Sequence, residues 1–221
     1  MKAVGFLRAA AAAALGVLLL SDCPLTPESE DEGGPPVEDL EERSDLFVQP
    51  EGCPGRFVFF TNDPDLWGPY GCTLWTLTGT WQEKFVARGL ELQKISGDRS
   101  AGYGAILCHR DDAVLGETML VVMINTRQEY AVGEVTGTQF QYLVSWARCS
   151  ALVAGYASNR LRVQRDGESF AVFFNDVQAC SFQDEDPPLH SGGADGLIVV
   201  ISPQDRFPET GVHVVFQEME L

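Results

Sequence analysis

The run from Asn159 to Phe182, NRLRVQRDGESFAVFFNDVQACSF, constrains this chain more than any other stretch. Between its β-rich segments sit two turn pairs, Asp166-Gly167 and Asn175-Asp176. Gly, and after it Asn and Asp, tolerate the left-handed backbone that a two-residue hairpin requires. The spacing therefore predicts strand, turn, strand, turn, strand. In the first strand Leu161 and Val163 alternate with Arg160, Arg162 and Gln164, which sends one face to a core and the other to water. The second carries Phe170, Val172 and Phe174 on one face and Ala171 and Phe173 on the other, so it should pack something on each side. The third sets Val177, Ala179 and Ser181 against Gln178, Cys180 and Phe182.

The same rhythm runs through the chain from Cys53 onward. Phe57 to Phe60, Trp75 to Val86, Gly89 to Ile95 and Tyr103 to His109 read as strands, with an Arg-Gly turn between the second and third. Thr118 to Thr126, Tyr130 to Val135, Gln139 to Trp146, GLIVVIS and Val212 to Met219 continue the pattern. The run TMLVVMINT is apolar at successive positions, as in a strand buried on both sides. About a dozen short strands at roughly ten-residue spacing, without a long helical period, indicate an all-β antiparallel sandwich or barrel.

The N-terminus reads differently. Lys2 and Arg8 precede a twelve-residue apolar run, Ala9 to Leu20. A helix needs about 20 residues to span a bilayer, so this run suits the core of an export signal. It ends in Leu-Leu-Ser-Asp-Cys, which resembles a bacterial lipobox with Cys23 as the lipidated residue. Asp22 departs from the small residue found there in that motif, and an ordinary secretory signal is the plainer alternative. The expected organisation is a signal peptide over 1–22, a lipidated cysteine and acidic tether over 23–52, and a folded domain over 53–221.

The formal net charge is −17, and ten acids against the single base Arg43 lie between Pro24 and Gly52. Like-charge repulsion with Pro and Gly predicts disorder there, apart from local docking by Leu40, Leu46 and Phe47. Nucleic acid is excluded as a partner, because phosphate binding needs clustered Lys and Arg. The six cysteines are Cys23, Cys53, Cys72, Cys108, Cys149 and Cys180, and with Cys23 lipidated an odd thiol is left over. Cys53 and Cys72 bracket a Pro/Gly-rich excursion and are the expected disulfide of an exported protein, with Cys149 and Cys180 as a second pair. Cys108, within YGAILC, reads as a buried thiol.

The segment from N-R-L-R-V through F-F-N-D, followed by G-G-A-D-G-L-I-V-V and V-H-V-V-F-Q-E-M-E-L, resembles the C-terminal half of a concanavalin A-like jelly roll. Laminin-G-like modules and 3-keto-glycoside hydrolase domains share this pattern, and the likeness covers about residues 100–221. It implies a jelly-roll β-sandwich. Function is left open by it, because lectins, adhesins and hydrolases all use the fold.

Retaining glycosidases of this fold carry a Glu-x-Asp-x-x-Glu signature, which is missing here. The nearest pair is Glu218 and Glu220, more simply read as a solvated strand end. No phosphate loop, dinucleotide fingerprint or Gly-x-Ser-x-Gly motif is present, and His109, His190 and His213 lack metal-ligand spacing. Neither a cofactor nor a metal is expected. Trp67 and Tyr70 are a loop-borne aromatic pair of the kind that stacks on sugar rings, whereas Trp75, Trp81 and Trp146 read as strand residues. Asp111, Asp184 and Asp186 lie in acidic loops that could meet a ligand. The expectation is a cell-envelope protein held to a bacterial membrane by a lipid on Cys23. Its module should bind a glycan or an envelope or host partner without catalysis, the alternative being a glycoside hydrolase with an atypical carboxylate site.

Overall fold

The structure is a computed structural model that describes residues 40–63, 69–184 and 189–220. Among these, fourteen strands form two seven-stranded sheets. Sheet A has the order β1-β4-β13-β6-β7-β8-β9, built from Leu40–Glu42, Cys72–Leu77, Ala194–Ile201, Tyr103–Asp112, Gly116–Ile124, Glu129–Thr136 and Gln139–Arg148. Sheet B has the order β12-β11-β10-β5-β14-β3-β2, built from Val177–Gln183, Ser169–Phe174, Asn159–Asp166, Ala87–Ser96, Val212–Glu218, Arg56–Thr61 and Phe47–Val48. All pairings are antiparallel except β1 with β4. The predicted all-β antiparallel sandwich is therefore the observed architecture.

Both turns of the meander form where the sequence places them. Gly167 has φ +62°, and Asn175 and Asp176 have φ 49° and 69°, the left-handed pair of a tight hairpin. The Asn175 side chain adds hydrogen bonds that a generic turn residue would not. Its Oδ1 accepts from Arg160 N–H at 2.8 Å, and its Nδ2 donates to Ala151 O at 2.8 Å and to Asn159 Oδ1 at 2.9 Å. The two-sided reading of β11 also holds. Phe170, Val172 and Phe174 are buried in the core, while on the opposite face the Arg162 guanidinium lies 4.1 Å from the Phe173 ring centroid.

The inter-sheet core takes Phe59, Leu90, Leu92, Val163, Val214 and Phe216 from sheet B, and Leu74, Leu107, Leu120, Val122, Leu197 and Val199 from sheet A. Leu46 and Phe47 pack against it and Leu40 packs on the other face of sheet A, so the apolar residues of the acidic segment are the ones that dock. The sandwich thus takes up chain ahead of Cys53. Two strand boundaries shift. Arg88 and Gly89 lie inside β5 rather than in a turn, and β4 stops at Leu77, leaving 78–86 as a loop that crosses from sheet A to sheet B.

Neither the expected Cys53–Cys72 bridge nor the second pair, Cys149 with Cys180, is formed, and Cys53 is an exposed thiol. For the first pair the physical reason is topological. Cys53 precedes the start of β3, near Gly55 and Glu218, whereas β3 runs to the opposite end of the sandwich before the chain crosses to Cys72 opposite Ile201. The two cysteines bracket a sheet-to-sheet crossing, not a hairpin.

Lys94 of β5 is fully buried. Its Nζ donates to Ala101 O at 2.6 Å and Asp98 O at 2.8 Å and lies 5.1 Å from the Tyr103 ring centroid. Burial lowers its pKa to about 7 against the opposing pull of Asp98. A folded value below the unfolded one, about 10.4, means that the unfolded chain holds the extra proton above pH 7, so stability rises with pH there. Above about pH 8.5 burial of Cys108 and Tyr103, which raises both, works the other way.

Asn175→Ala should cost about 2–4 kcal/mol in urea unfolding, from left-handed strain and lost hydrogen bonds, and Asn175→Gly should cost less. Wild-type stability should climb between about pH 7 and 8.5 with a slope of up to about 1.4 kcal/mol per pH unit, and Lys94→Met should flatten that climb in urea titrations across the same range.

Candidate functional site

The strand directions define two ends of the sandwich. Tyr70 precedes the start of β4 at one end, and Trp81 follows its finish at the other. The loop 78–86 is held rigidly at the Trp81 end. Thr78 and Gly79 N–H both donate to Asp195 O at 3.0 Å, Gln82 and Gly193 exchange a pair of backbone hydrogen bonds at 2.9 Å, and Phe85 N–H donates to Ser191 O at 2.8 Å. A Cβ on Gly192 would stand 2.4 Å from Glu83 O, so only glycine lets the two loops touch. On this zipped loop Trp81 is 60 % exposed. A large aromatic face is thereby presented to solvent on a backbone with little freedom left to lose on binding.

Two buried charge clusters brace the loop from beneath. Arg88 donates to Thr78 Oγ1 at 3.1 Å and to Glu218 Oε1 at 2.9 Å, and its Nη1 lies 3.9 Å from Asp195 Oδ2. The Asp195 Oδ1 accepts from Cys108 N–H at 3.3 Å, where Cys108 takes φ 57° in the bulge of β6. Burial raises the Asp195 carboxyl, and the nearby Arg88 only partly counters it. The second cluster is centred on Asp184. Its Oδ1 accepts from Leu189 N–H at 3.2 Å and meets His190 Nδ1 at 3.1 Å, while its Oδ2 accepts from His190 N–H at 3.1 Å and Arg165 Nη2 at 3.3 Å. Arg165 also donates to His190 O at 2.6 Å and Gly167 O at 2.7 Å. Burial works to raise the Asp184 carboxyl, but its hydrogen bonds to His190 and the charge of Arg165 outweigh burial and hold it below the usual carboxylate range.

Around the rim, the His109 ring lies 5.0 Å from that of Trp75, and its Nε2 is 3.8 Å from Glu117 Oε1. Asp111 is exposed on the β6–β7 hairpin, and Asp112 Oδ1 accepts from Val114 and Leu115 N–H at 2.9 and 3.1 Å. The face of sheet A turned away from sheet B is a second apolar layer. Ile106, Met119, Val121, Met123, Ile198 and Val200 form its centre, with Trp75, Phe140 and Trp146 packed beside them. None of these side chains carries a carboxylate or an imidazole. Glu218, one of the two carboxylates singled out in the sequence, is engaged by Arg88, and Glu220 lies past the end of β14.

The sequence-predicted residues thus separate. Cys23, Trp67 and Asp186 lie outside the described residues. Tyr70 is 74 % exposed at the end opposite Asp111 and Asp184, so these do not converge on one site. The Asp184 side chain is buried and bonded to its own loop and to Arg165 of β10. Among the described residues no three His, Cys, Asp or Glu side chains stand together as metal ligands. The residue missed by strand reading is Trp81. Gly79, flanked by threonines two positions before it, is the local signal that the strand has already ended.

No protein-family model and no curated protein sequence matches the chain. Solved structures do. A β-glucanase of Bacillus licheniformis superposes with a TM-score of 0.55 at 4 % identity, over 87 % of this chain and 91 % of its own. A native glycosidic hydrolase gives a TM-score of 0.55 at 5 % identity, covering 86 % and 88 %. The carbohydrate-binding module CBM66 of Bacillus subtilis gives 0.45 at 14 % identity, covering 65 % and 91 %. The fold is a concanavalin A-like jelly roll, as the sequence resemblance implied.

A carboxylate with a depressed folded pKa contributes stability above its unfolded value, about 3.9, and loses that contribution as pH falls through the folded one. Asp184→Asn should therefore lower stability at pH 7 by about 3–5 kcal/mol, by leaving Arg165 buried without its counter-charge. It should also flatten the acid decline below about pH 4 in thermal melts.

Proposed function

We propose that this protein is an exported, lipid-anchored binding module of the bacterial cell envelope that recognises a glycan at the Trp81 end of its sandwich without catalysing a reaction. The observation that carries this reading is Trp81, exposed on a loop fixed by paired backbone hydrogen bonds to 191–195. Sugar rings present apolar C–H faces that stack on such a platform, and a rigid platform loses little entropy in doing so. Polar groups at the same end, Glu117, Arg110 and Asp111, are of the kind that hydrogen-bond sugar hydroxyls.

Two supports come from elsewhere in the chain. The apolar outer layer of sheet A leaves its centre without the paired carboxylates that glycoside hydrolysis needs. Proteins sharing the fold include a β-glucanase and a glycosidic hydrolase, a fold-level analogy that fits a carbohydrate ligand. The charged Lys2 and Arg8, the apolar run to Leu20 and Cys23 support export and lipid attachment, with the acidic segment after Cys23 as tether.

On a glycan array the protein should bind a restricted set of glycans, and Trp81→Ala should weaken that binding about 10- to 100-fold while leaving the melting temperature unchanged. Release of reducing sugar from the bound glycan would replace this reading with the hydrolase alternative, and unaltered affinity in Trp81→Ala would move the site elsewhere. Cys23→Ala should shift the protein out of the membrane fraction.

A further inference from the structure

Charge is divided unevenly between the two ends of the sandwich. At the Trp81 end the exposed charges are mainly carboxylates, Glu83, Asp111, Glu117, Asp166 and Glu168, with Lys84 among them. The arginines of that end, Arg88, Arg110 and Arg165, are engaged within the fold. At the opposite end, one corner presents Arg99, Arg127 and Arg148, all exposed. They come from the loop between β5 and β6, the β7–β8 turn and the last position of β9. Backbone contacts bring these segments together. Thr126 N–H donates to Arg99 O at 3.1 Å, Cys149 N–H donates to Gln128 O at 2.8 Å, and Arg148 is the register partner of Glu129. The turn that carries Arg127 is braced by Asn125, whose Oδ1 accepts from Arg127 N–H at 2.9 Å and from Glu129 N–H at 3.2 Å.

The carboxylates beside this corner are committed. Glu129 accepts from Asn125 Nδ2 at 2.7 Å and lies 3.8 Å from Arg127 Nε, while Asp98 accepts from the Ser202 hydroxyl at 2.6 Å and from Ser100 N–H at 2.8 Å. Arg99 and Arg148 have no side-chain partner among the described residues. Val153 and Tyr156, both about half exposed, flank the same corner on the loop between β9 and β10. That loop is fixed there by Gly155 N–H donating to Thr126 O at 2.9 Å and by the Tyr156 hydroxyl donating to Gly97 O at 3.4 Å. Guanidinium groups pair with phosphate, and a tyrosine ring suits the headgroup level of a bilayer. The chain that leads back to Cys23 also leaves the sandwich at this end, because Leu40 of β1 lies opposite Thr73 at the start of β4.

We propose that the Arg99, Arg127 and Arg148 corner is the membrane-facing surface of this protein and binds anionic lipid headgroups, which turns the Trp81 end away from the bilayer. The choice of a lipid surface over another polyanion rests on the proposed anchor at Cys23, since the chain leading to it leaves at this end. A net charge of −17 does not oppose the contact. Exposed charges are screened over about 8 Å at physiological ionic strength, whereas a ten-residue strand such as β9 is about 33 Å long. The carboxylates of the Trp81 end therefore lie several screening lengths from a bilayer that touches the arginines. Asp205 and Glu209 share the arginine end, but they stand on the loop after β13, and β13 is four strands from β9.

The test floats the full chain, carrying Cys23→Ala so that no lipid is attached, with vesicles of phosphatidylcholine alone or mixed with phosphatidylglycerol. The chain should partition more strongly onto the mixed vesicles, and high salt should erase the difference. Combining Arg99→Gln, Arg127→Gln and Arg148→Gln should weaken partitioning onto the mixed vesicles by about 5-fold per arginine, roughly 100-fold in all, with the melting temperature unchanged. Lys2, Arg8 and the apolar run after them are common to both proteins, so the ratio isolates the corner. Lys84→Gln, at the other end, should have no effect. Equal partitioning of the parent and the triple variant, or an equal loss in Lys84→Gln, would overturn the proposal. Retention on heparin that depends on the three arginines, without a preference for the mixed vesicles, would give the corner to a soluble polyanion and overturn it as well. The assay contains no attached lipid, so its outcome is separate from that of the anchor reading: finding Cys23 unmodified in cells would defeat the anchor, while arginine-dependent vesicle binding would still support the membrane-facing corner.

Discussion

Sheet A is apolar on both faces, and the placement of nearly everything polar follows from that. Its inner face supplies Leu107, Leu120, Val122 and Leu197 to the inter-sheet core, and its outer face carries Ile106, Met119, Val121 and Ile198. A strand whose successive side chains are all apolar cannot offer hydroxyls, amides or carboxylates at its centre. Polar and charged side chains are therefore displaced to the ends of the sandwich, where strands give way to loops. Glycines maintain the arrangement. A Cβ on Gly104 would stand 1.9 Å from Val122 O, and one on Gly133 would stand 2.3 Å from the Phe140 ring, which covers that glycine.

The Trp81 end shows what it takes to hold a polar loop cluster against such a scaffold. Arg88, Asp195, Arg165, Asp184 and His190 are all mostly buried, and each contributes to fixing backbone. Buried ion pairs of this kind add little net stability over an apolar replacement, because desolvation cancels much of the attraction. Their effect here is positional: Asp195 and His190 present backbone carbonyls to the 78–86 loop and to Arg165, while their side chains lock the loop they sit in. Trp81 stands at the outer edge of this lattice. The position of Trp81 is thus set by charged groups that lie beneath its loop.

Much of the fold was legible because its signals are local. Asp166-Gly167 and Asn175-Asp176 mark turns through backbone conformations few residues accept, and the alternation of Leu161 and Val163 with arginines fixes which face of β10 is inside. Strand ends near Arg88 and Trp81 were not legible. Arg88-Gly89 has the composition of a turn, yet pairing with Val163 and Arg162 of β10 keeps it extended, so a tertiary contact overrides the local preference. Thr78 to Val86 carries β-rich residues, yet it must leave sheet A to reach sheet B, and that crossing exposes Trp81. The acidic residues of the loops were legible as charges but not as roles, since Asp111 and Asp184 differ only in whether a loop closes over them.

By itself, then, the sequence determined what depends on neighbours along the chain: the strand rhythm, the turns, the all-β class, and the faces of strands that point inward. Only the tertiary structure decided what depends on neighbours across it. It set Cys53 and Cys72 at opposite ends, buried the Asp184 side chain and exposed Trp81. The physical reason is that side-chain alternation and turn conformation are written within a few residues. Which strand joins which sheet is settled by the burial of surfaces far apart in sequence, and a single crossing between sheets relocates every side chain that follows it.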